Sequence, residues 1–338
     1  MALYAGNVIF MPQPAVISAF ASVGGKREAE GPLSSGFDKL YTDNTLSRPS
    51  WEKAEAALLE ETVRICLEKA KVSAAQVQLA LAGDLQAQCT ASNYTMRQLG
   101  IPFAGLYGAC STMAESLALG ACLTAGGAGG HVLAATASHF CAAERQFRLP
   151  LNYGGMRTPT AQWTATAAGC VLLCPEGSGV QIPAVVFGRV QDYGVTDISN
   201  MGAAMAPAAA DTLLRYFQDT GTTPADFDRI FTGDLGRVGS RLFCQLMENE
   251  GMPLFNHRDC GCLLYGDDPA AGAGASGSGC SAAVLCSQIL PRLAAGKWQR
   301  VLFAATGALM STVTSLQKES IPGIAHLVEL RAPAERTK

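Results

Sequence analysis

The chain has 338 residues, of which 49% are apolar and only 16% charged, with a net charge of −3. That length suits one large domain or two packed halves, and the composition excludes a disordered chain. The weakly acidic balance offers nothing to nonspecific nucleic-acid binding, so no nucleic-acid partner is expected.

The first stretch, "MALYAGNVIFMPQPAVISAF", is apolar, lacks a basic start and carries Pro12 and Pro14. It predicts a strand and not a signal peptide. No run reaches ~18 uninterrupted apolar residues, so membrane contact, if made, is expected to be peripheral. A helix is predicted from about Trp51 to Lys71. Ser50 is placed to cap it, Glu52 and Glu55 lie in its first turn, and Lys69 and Lys71 lie near its end. Ala54, Leu58, Val63, Cys66 and Ala70 share one face.

From there the chain repeats itself. "ETVRICLEKAKVSAAQVQLALAGDL" (61–85) aligns without a gap with "DTLLRYFQDTGTTPADFDRIFTGDL" (211–235). Each reads as an amphipathic helix, a polar loop, a short apolar strand and Gly-Asp-Leu. "ACSTMAESLALGACLTAGGAGGHVLAAT" (109–136) aligns in the same way with "GCSAAVLCSQILPRLAAGKWQRVLFAAT" (279–306), and Cys110 falls on Cys280. Such repetition marks two structural units of roughly 160 residues. They are divided here as 1–178 and 179–338. The short apolar strands imply a parallel-rich sheet covered on both faces, in an α/β architecture of five layers if the halves pack helix against helix. Asp84 and Asp234 hold equivalent places, which suggests a shared turn or cap role first and ligand contact second.

Twelve cysteines without an export signal imply reduced thiols. Their spacings lack the paired C-x-x-C form, so no metal is expected. Cys110 stands out within "GLYGACSTMAESLALGACL" (105–123), at a predicted helix start. Unpaired N–H groups and the helix dipole there should lower its pKa and favour the thiolate. The residues leave two readings open: a nucleophile, or a buried thiol in a small-residue seam.

A duplicated α/β chain whose "A-C-S" cysteine opens a first-half helix resembles the thiolase superfamily. The resemblance implies two pseudo-equivalent βαβαβαββ halves and places the family's nucleophile at Cys110. It also exposes two departures. The loop that holds an "H-x-A-N"-like histidine in related synthases reads "FTGDLGRVGS" here, with Gly233 and Asp234. The "G-N-T-S-A-A"-like loop reads "SGSGCSAA", with Gly279 in place of the Asn. Of four histidines, His131 and His257 read as structural or solvated, the latter in a polar loop. His139 and His326 are the two that could approach Cys110.

Further stretches are similar to one branch, the stage V sporulation protein AD family of spore-forming bacteria: "GPLSSGFDKLY" (31–41), "LGIPFAGLYGACST" (99–112), "AERQFRLPLNYGG" (143–155) and "QKESIPGIAH" (317–326). The resemblance implies a non-catalytic protein that binds dipicolinic acid during its uptake into the developing spore. It implies attachment to SpoVA membrane proteins at the cytoplasmic side of the forespore inner membrane, a homodimer and no cofactor; whether calcium accompanies the ligand stays open. Dipicolinate is a flat ring with two carboxylates, so its site needs donors at two ends and a slot for the ring. The candidate ligand-binding residues are Cys110, His139, Arg145, Arg148, His326 and Lys26. Arg145 is read equally as a ligand donor or as the partner of an acid, and Lys26 reads first as a solvated charge. The alternatives are an acyltransferase using Cys110 as nucleophile, and a scaffold with a vestigial pocket.

Overall fold

The computed structural model describes residues 3–147 and 157–333. Ten strands form its frame. The first half contributes β1 (Val8–Gly24), β2 (Leu79–Gly83), β3 (Phe103–Gly105), β4 (Val132–Ser138) and β5 (Ala167–Cys174). The second contributes β6 (Val180–Val186), β7 (Arg229–Thr232), β8 (His257–Asp259), β9 (Arg300–Ala308) and β10 (Gly323–Arg331). The sheet order is β8-β7-β9-β10-β6-β1-β5-β4-β2-β3, so each half has the same order read outward from the seam. Two short strands, Leu3–Ala5 and Lys39–Leu40, pair with β1.

The seam is the antiparallel pairing of β1 with β6. Its register breaks between Phe10 and Ala15, the stretch that holds Pro12 and Pro14. Proline has no N–H for a ladder, so the irregularity falls where the sequence demands it. The chain passes from β5 to β6, and from one half to the other, through residues 175–179.

The helices repeat with the strands. The first half has α1 (Trp51–Ala70), α2 (Thr90–Leu99), α3 (Thr112–Ala125) and α4 (Phe140–Phe147). The second has α5 (Met201–Thr220), α6 (Gly236–Asn249) and α7 (Ser278–Val284). α1 and α5 are both 20 residues long, as their gapless alignment requires. Ser50 Oγ accepts from Lys53 N at 3.3 Å and caps α1. The helix stops at Ala70, because Lys71 adopts the left-handed conformation with φ 57°.

Three apolar cores separate five layers. Leu58, Leu59 and Val63 of α1 pack on Ala80, Leu133 and Leu172. Met205, Leu213 and Phe217 of α5 pack on Ile230, Leu302 and Leu327. Between the half-sheets, Met113 and Leu117 of α3 and Ala282 of α7 meet Val171, Phe303 and Val328. α3 is therefore covered from both sides, and the turn before it lies deep in the molecule.

Candidate functional site

That turn, Ala109–Ser111, is a single 3-10 turn leading into α3. Ala109 has φ 50°, a left-handed conformation that costs a residue with a Cβ. Gln88 and Cys89, in the loop after β2, are left-handed as well. Two glycines set the close packing here. A Cβ on Gly108 would lie 2.3 Å from the Glu115 carboxylate, and one on Gly307 of β9 would lie 2.4 Å from Gly108 O. The first-half turn is thus pressed against a second-half strand.

A cavity of about 430 Å³ opens over this turn. Its walls come from residues 84–88 after β2, from α4, from the start of α5 and from residues 308–312 after β9. Cys110 and Ser276 lie on its floor, and Gln162, Tyr107, Phe147 and Met310 are among its lining. The described lining residues include Asp84 and Glu144 but no lysine or arginine. Glu144 is charge-paired with Arg157 at 2.6 Å.

Behind the floor stands Asp234, fully buried. Its Oδ2 accepts from Ser276 Oγ and from Gly277 N, each at 2.9 Å, and its Oδ1 accepts from Thr306 Oγ1 at 3.0 Å. Gly277 has φ 99°, a backbone suited to glycine, which aims its N–H at the carboxylate. Gln162 Nε2 donates to Asp234 O at 2.7 Å and to Ala275 O at 2.8 Å, tying the two loops together. The Cys110 thiol faces the same carboxylate closely enough to hydrogen-bond with it. Burial, and then the Asp234 charge, push the Cys110 thiol well above its ordinary value. This reverses the expectation of a lowered pKa: desolvation and a carboxylate outweigh a helix start whose first turn is shared with other acceptors. Burial also pushes the Asp234 carboxyl up to about 6.

The other candidates do not gather around Cys110. His139 is buried below α4; its Nε2 is 2.7 Å from Asn44 O, and its ring stacks on Trp51 at 5.5 Å. His326 is on β10, with Nδ1 accepting from Gly188 N at 3.2 Å and its ring edge-on to Phe187. Neither lines the cavity. Arg145 is half-exposed and ion-paired with Glu52 of α1. Lys26 is exposed at the start of the short helix Lys26–Glu30. Arg148 lies outside the described residues. His257 departs from the loop expected of it: it is buried on β8, with Nε2 2.8 Å from Thr232 Oγ1. The residue that sequence reasoning underrated is Asp234, buried behind the floor. Its only signal was the repeated Gly-Asp-Leu, which pointed to a turn.

No helix among the described residues is long and apolar enough to cross a membrane, and they hold no cluster suited to a metal ion. Residues 6–331 match the family described as Stage V sporulation protein AD. Over 314 residues the chain is 44% identical to Stage V sporulation protein AD of Bacillus subtilis (strain 168), covering 93% of each chain. The chain belongs to this family.

Solved structures extend the likeness in fold. 3-Oxoacyl-[acyl-carrier-protein] synthase III from Aquifex aeolicus VF5 matches with a TM-score of 0.57 at 12% identity, over 94% of this chain and 99% of that one. A variant of Xanthomonas campestris OleA matches with a TM-score of 0.60 at 11% identity, over 94% and 98%. The fold is thiolase-like. In this member of the stage V sporulation protein AD family, the stretch where the resemblance to condensing enzymes would place a histidine holds Gly233 and Asp234. Gly279 stands where it would place an asparagine, and a Cβ there would lie 2.0 Å from Ala167 O. The backbone there leaves no room for a side chain.

Proposed function

We propose that this sporulation protein binds dipicolinate in the cavity above Cys110 and serves its uptake into the developing spore without condensation chemistry. One observation carries the reading: the cavity at the Cys110 turn is present, while the stretch that would hold an activating histidine reads Gly233-Asp234, Gly279 stands in place of the asparagine, and the Asp234 carboxylate faces the thiol. A thiol held protonated by burial and by a facing carboxylate attacks a thioester poorly. It still serves as a small polar wall.

The ring has apolar neighbours in Phe147, Met310 and Ile198. Donors for the carboxylates come from what lines the cavity, notably the Tyr107, Ser199 and Ser311 hydroxyls and the Gln88 and Gln146 amides. Arg145 would have to leave Glu52 to take part. Dimerisation through the outer strand β3, peripheral attachment to a membrane and docking on SpoVA membrane proteins belong to the same reading. The outer edge of β3 has no strand partner among the described residues, and pairing with a second copy would cover it.

Calorimetric titration with dipicolinate, with benzoate as control, tests the proposal. Saturable heat with dipicolinate and none with benzoate is expected. Steady turnover of an acetyl- or malonyl-thioester that disappears in Cys110→Ala would favour the acyltransferase reading, for which the place of Cys110 on the cavity wall speaks. Sedimentation at micromolar concentration tests the dimer, and a monomer would remove it.

A further inference from the structure

Two polar groups of the cavity floor spend their hydrogens on a single hidden carboxylate. Ser276 Oγ donates to Asp234 Oδ2 at 2.9 Å, and the Cys110 thiol faces the same group. With Asp234 ionised, the floor therefore presents sulfur and oxygen lone pairs to the cavity, with a buried negative charge behind them. An anion meets repulsion on both counts. A proton on Oδ2 reverses the direction of these bonds. Asp234 then donates to Cys110 Sγ or Ser276 Oγ, and the hydrogen of that group turns into the cavity as a donor. The remaining partners, Gly277 N and Thr306 Oγ1, hold the carboxyl in place in either state.

We infer that an anion filling this cavity brings a proton with it, and that Asp234 takes the proton up. The inference rests on the dipicolinate reading and adds to it the charge state in which the site is occupied. The groups around Asp234 leave it as the titrating member. Cys110 before α3, Cys260 after β8 and Cys280 in α7 are buried thiols, all pushed well above their ordinary values. Asp259 is buried beside it and burial raises its carboxyl too, but three of its four donors are the Leu235, Gly236 and Cys262 N–H groups, which cannot reverse, and none of its partners faces the cavity. Asp84, on the cavity wall and likewise raised by burial, is held by Gln86 N and by Ser92 N and Ser92 Oγ at the start of α2, and Asp234→Asn separates its part from that of Asp234. Gln162, on the cavity side, carries no charge. Burial has already raised Asp234 to about 6, within reach of neutrality, and an adjacent anion raises it further.

The test is titration of the full chain with dipicolinate in buffers of different ionisation enthalpy. Near pH 7.5, uptake of close to one proton per bound ligand is expected, and affinity should fall about tenfold per pH unit above pH 6.5. Asp234→Asn should abolish both the uptake and the slope. Ser276→Ala, which removes one of the two reversible donors, should keep the uptake and weaken binding. If Asp234→Asn fails to fold by circular dichroism, the wild-type proton count decides alone. Binding of dipicolinate with no proton uptake and less than about a twofold change across this range would overturn the inference and leave the ligand reading standing. If dipicolinate gives no heat at any pH, the ligand reading fails. The inference is then judged with formate as probe, by following the infrared carbonyl band of protonated Asp234. A titration midpoint raised by formate supports it, and an unmoved midpoint ends it.

Discussion

Asp84 and Asp234 follow the same glycine at the ends of β2 and β7, yet only Asp84 ties down the helix that comes next. Asp84 Oδ2 accepts from Ser92 N at 2.8 Å and from Ser92 Oγ at 2.7 Å, in the first turn of α2. In the second half that work passes to Asp259, which accepts from Leu235 N and Gly236 N, each at 2.9 Å, at the start of α6. Asp234 is thereby released to face the Cys110 turn. One buried carboxylate holds a helix, and its counterpart forms the back of a cavity.

The first prediction concerns Cys110 as a wall. Cys110→Ala should weaken dipicolinate binding only a few-fold, since no covalent bond is formed. Cys110→Trp should abolish it by filling the floor of the cavity. Calorimetry on both variants checks this, with circular dichroism as the folding control. Undiminished affinity in a folded Cys110→Trp would move the ligand elsewhere.

The thiol's reactivity gives a second. Because burial and the Asp234 charge both raise the Cys110 pKa, the thiolate is scarce at neutral pH. Iodoacetamide near pH 8 should label Cys141, which is less buried, well before Cys110. Asp234→Asn removes the facing charge and should speed labelling of Cys110. Peptide mass spectrometry over time reads both effects, and a fast-labelling wild-type Cys110 would refute the protonated state.

Restoring the condensing-enzyme asparagine should fail. Gly279→Asn places a Cβ 2.0 Å from the Ala167 carbonyl, a backbone atom that cannot rotate aside. A loss of at least about 1–3 kcal/mol is expected from the overpacking. Urea denaturation measures it. A variant as stable as the wild type would show that α7 and β5 can move apart.

His326 supplies a pH dependence of stability. Burial lowers it from 6.5 to about 4, and Gly188 N fixes its neutral form. The native state thus binds fewer protons than the unfolded chain between those values. Its contribution is full above pH 6.5 and is lost as pH falls through 4, at about 1.4 kcal/mol per unit. Asp234 acts in the opposite sense: its raised pKa favours the folded state below 3.8, and that advantage fades as pH rises through about 6. His326→Asn should reduce the slope of unfolding free energy against pH by one proton between about pH 4.5 and 6. Denaturant melts across that range would show it, and an unchanged slope would mean that His326 is charged in the native state.

The Arg145 pair offers a control. Its side chain is 47% exposed and pairs with Glu52, 93 residues away in sequence. Such a pair contributes less than about 1 kcal/mol. Arg145→Ala should therefore cost little stability and leave dipicolinate affinity within about twofold. A loss of tenfold or more would return Arg145 to the ligand.

The frame was legible because the repeats are gapless. Leu58, Val63 and Cys66 mark the buried face of α1, Ser50 marks its start, and Pro12 and Pro14 mark the break in β1. The position of Cys110 was legible for the same reason, since its counterpart Cys280 sits in the aligned helix. What the sequence concealed depends on orientation. His326 pairs with Ala305 across the β9–β10 ladder, and the alternation of that strand aims its ring at Phe187 and away from the cavity. The partner of Arg145 lies on another helix, beyond the reach of local pattern. Asp234 looked like Asp84 because the two share a motif, and only the neighbouring Asp259 makes their tasks differ.

The pairing of β1 with β6 has a practical side. The two halves are held by backbone hydrogen bonds along the seam and by α3 between the half-sheets, whereas residues 175–179 merely carry the chain across. A cut in that turn would sever one covalent link and none of those bonds. The molecule can therefore be treated as a heterodimer of its own halves. New termini placed there, far along the chain from Cys110, would let each half be labelled or exchanged separately while the cavity between them stays assembled.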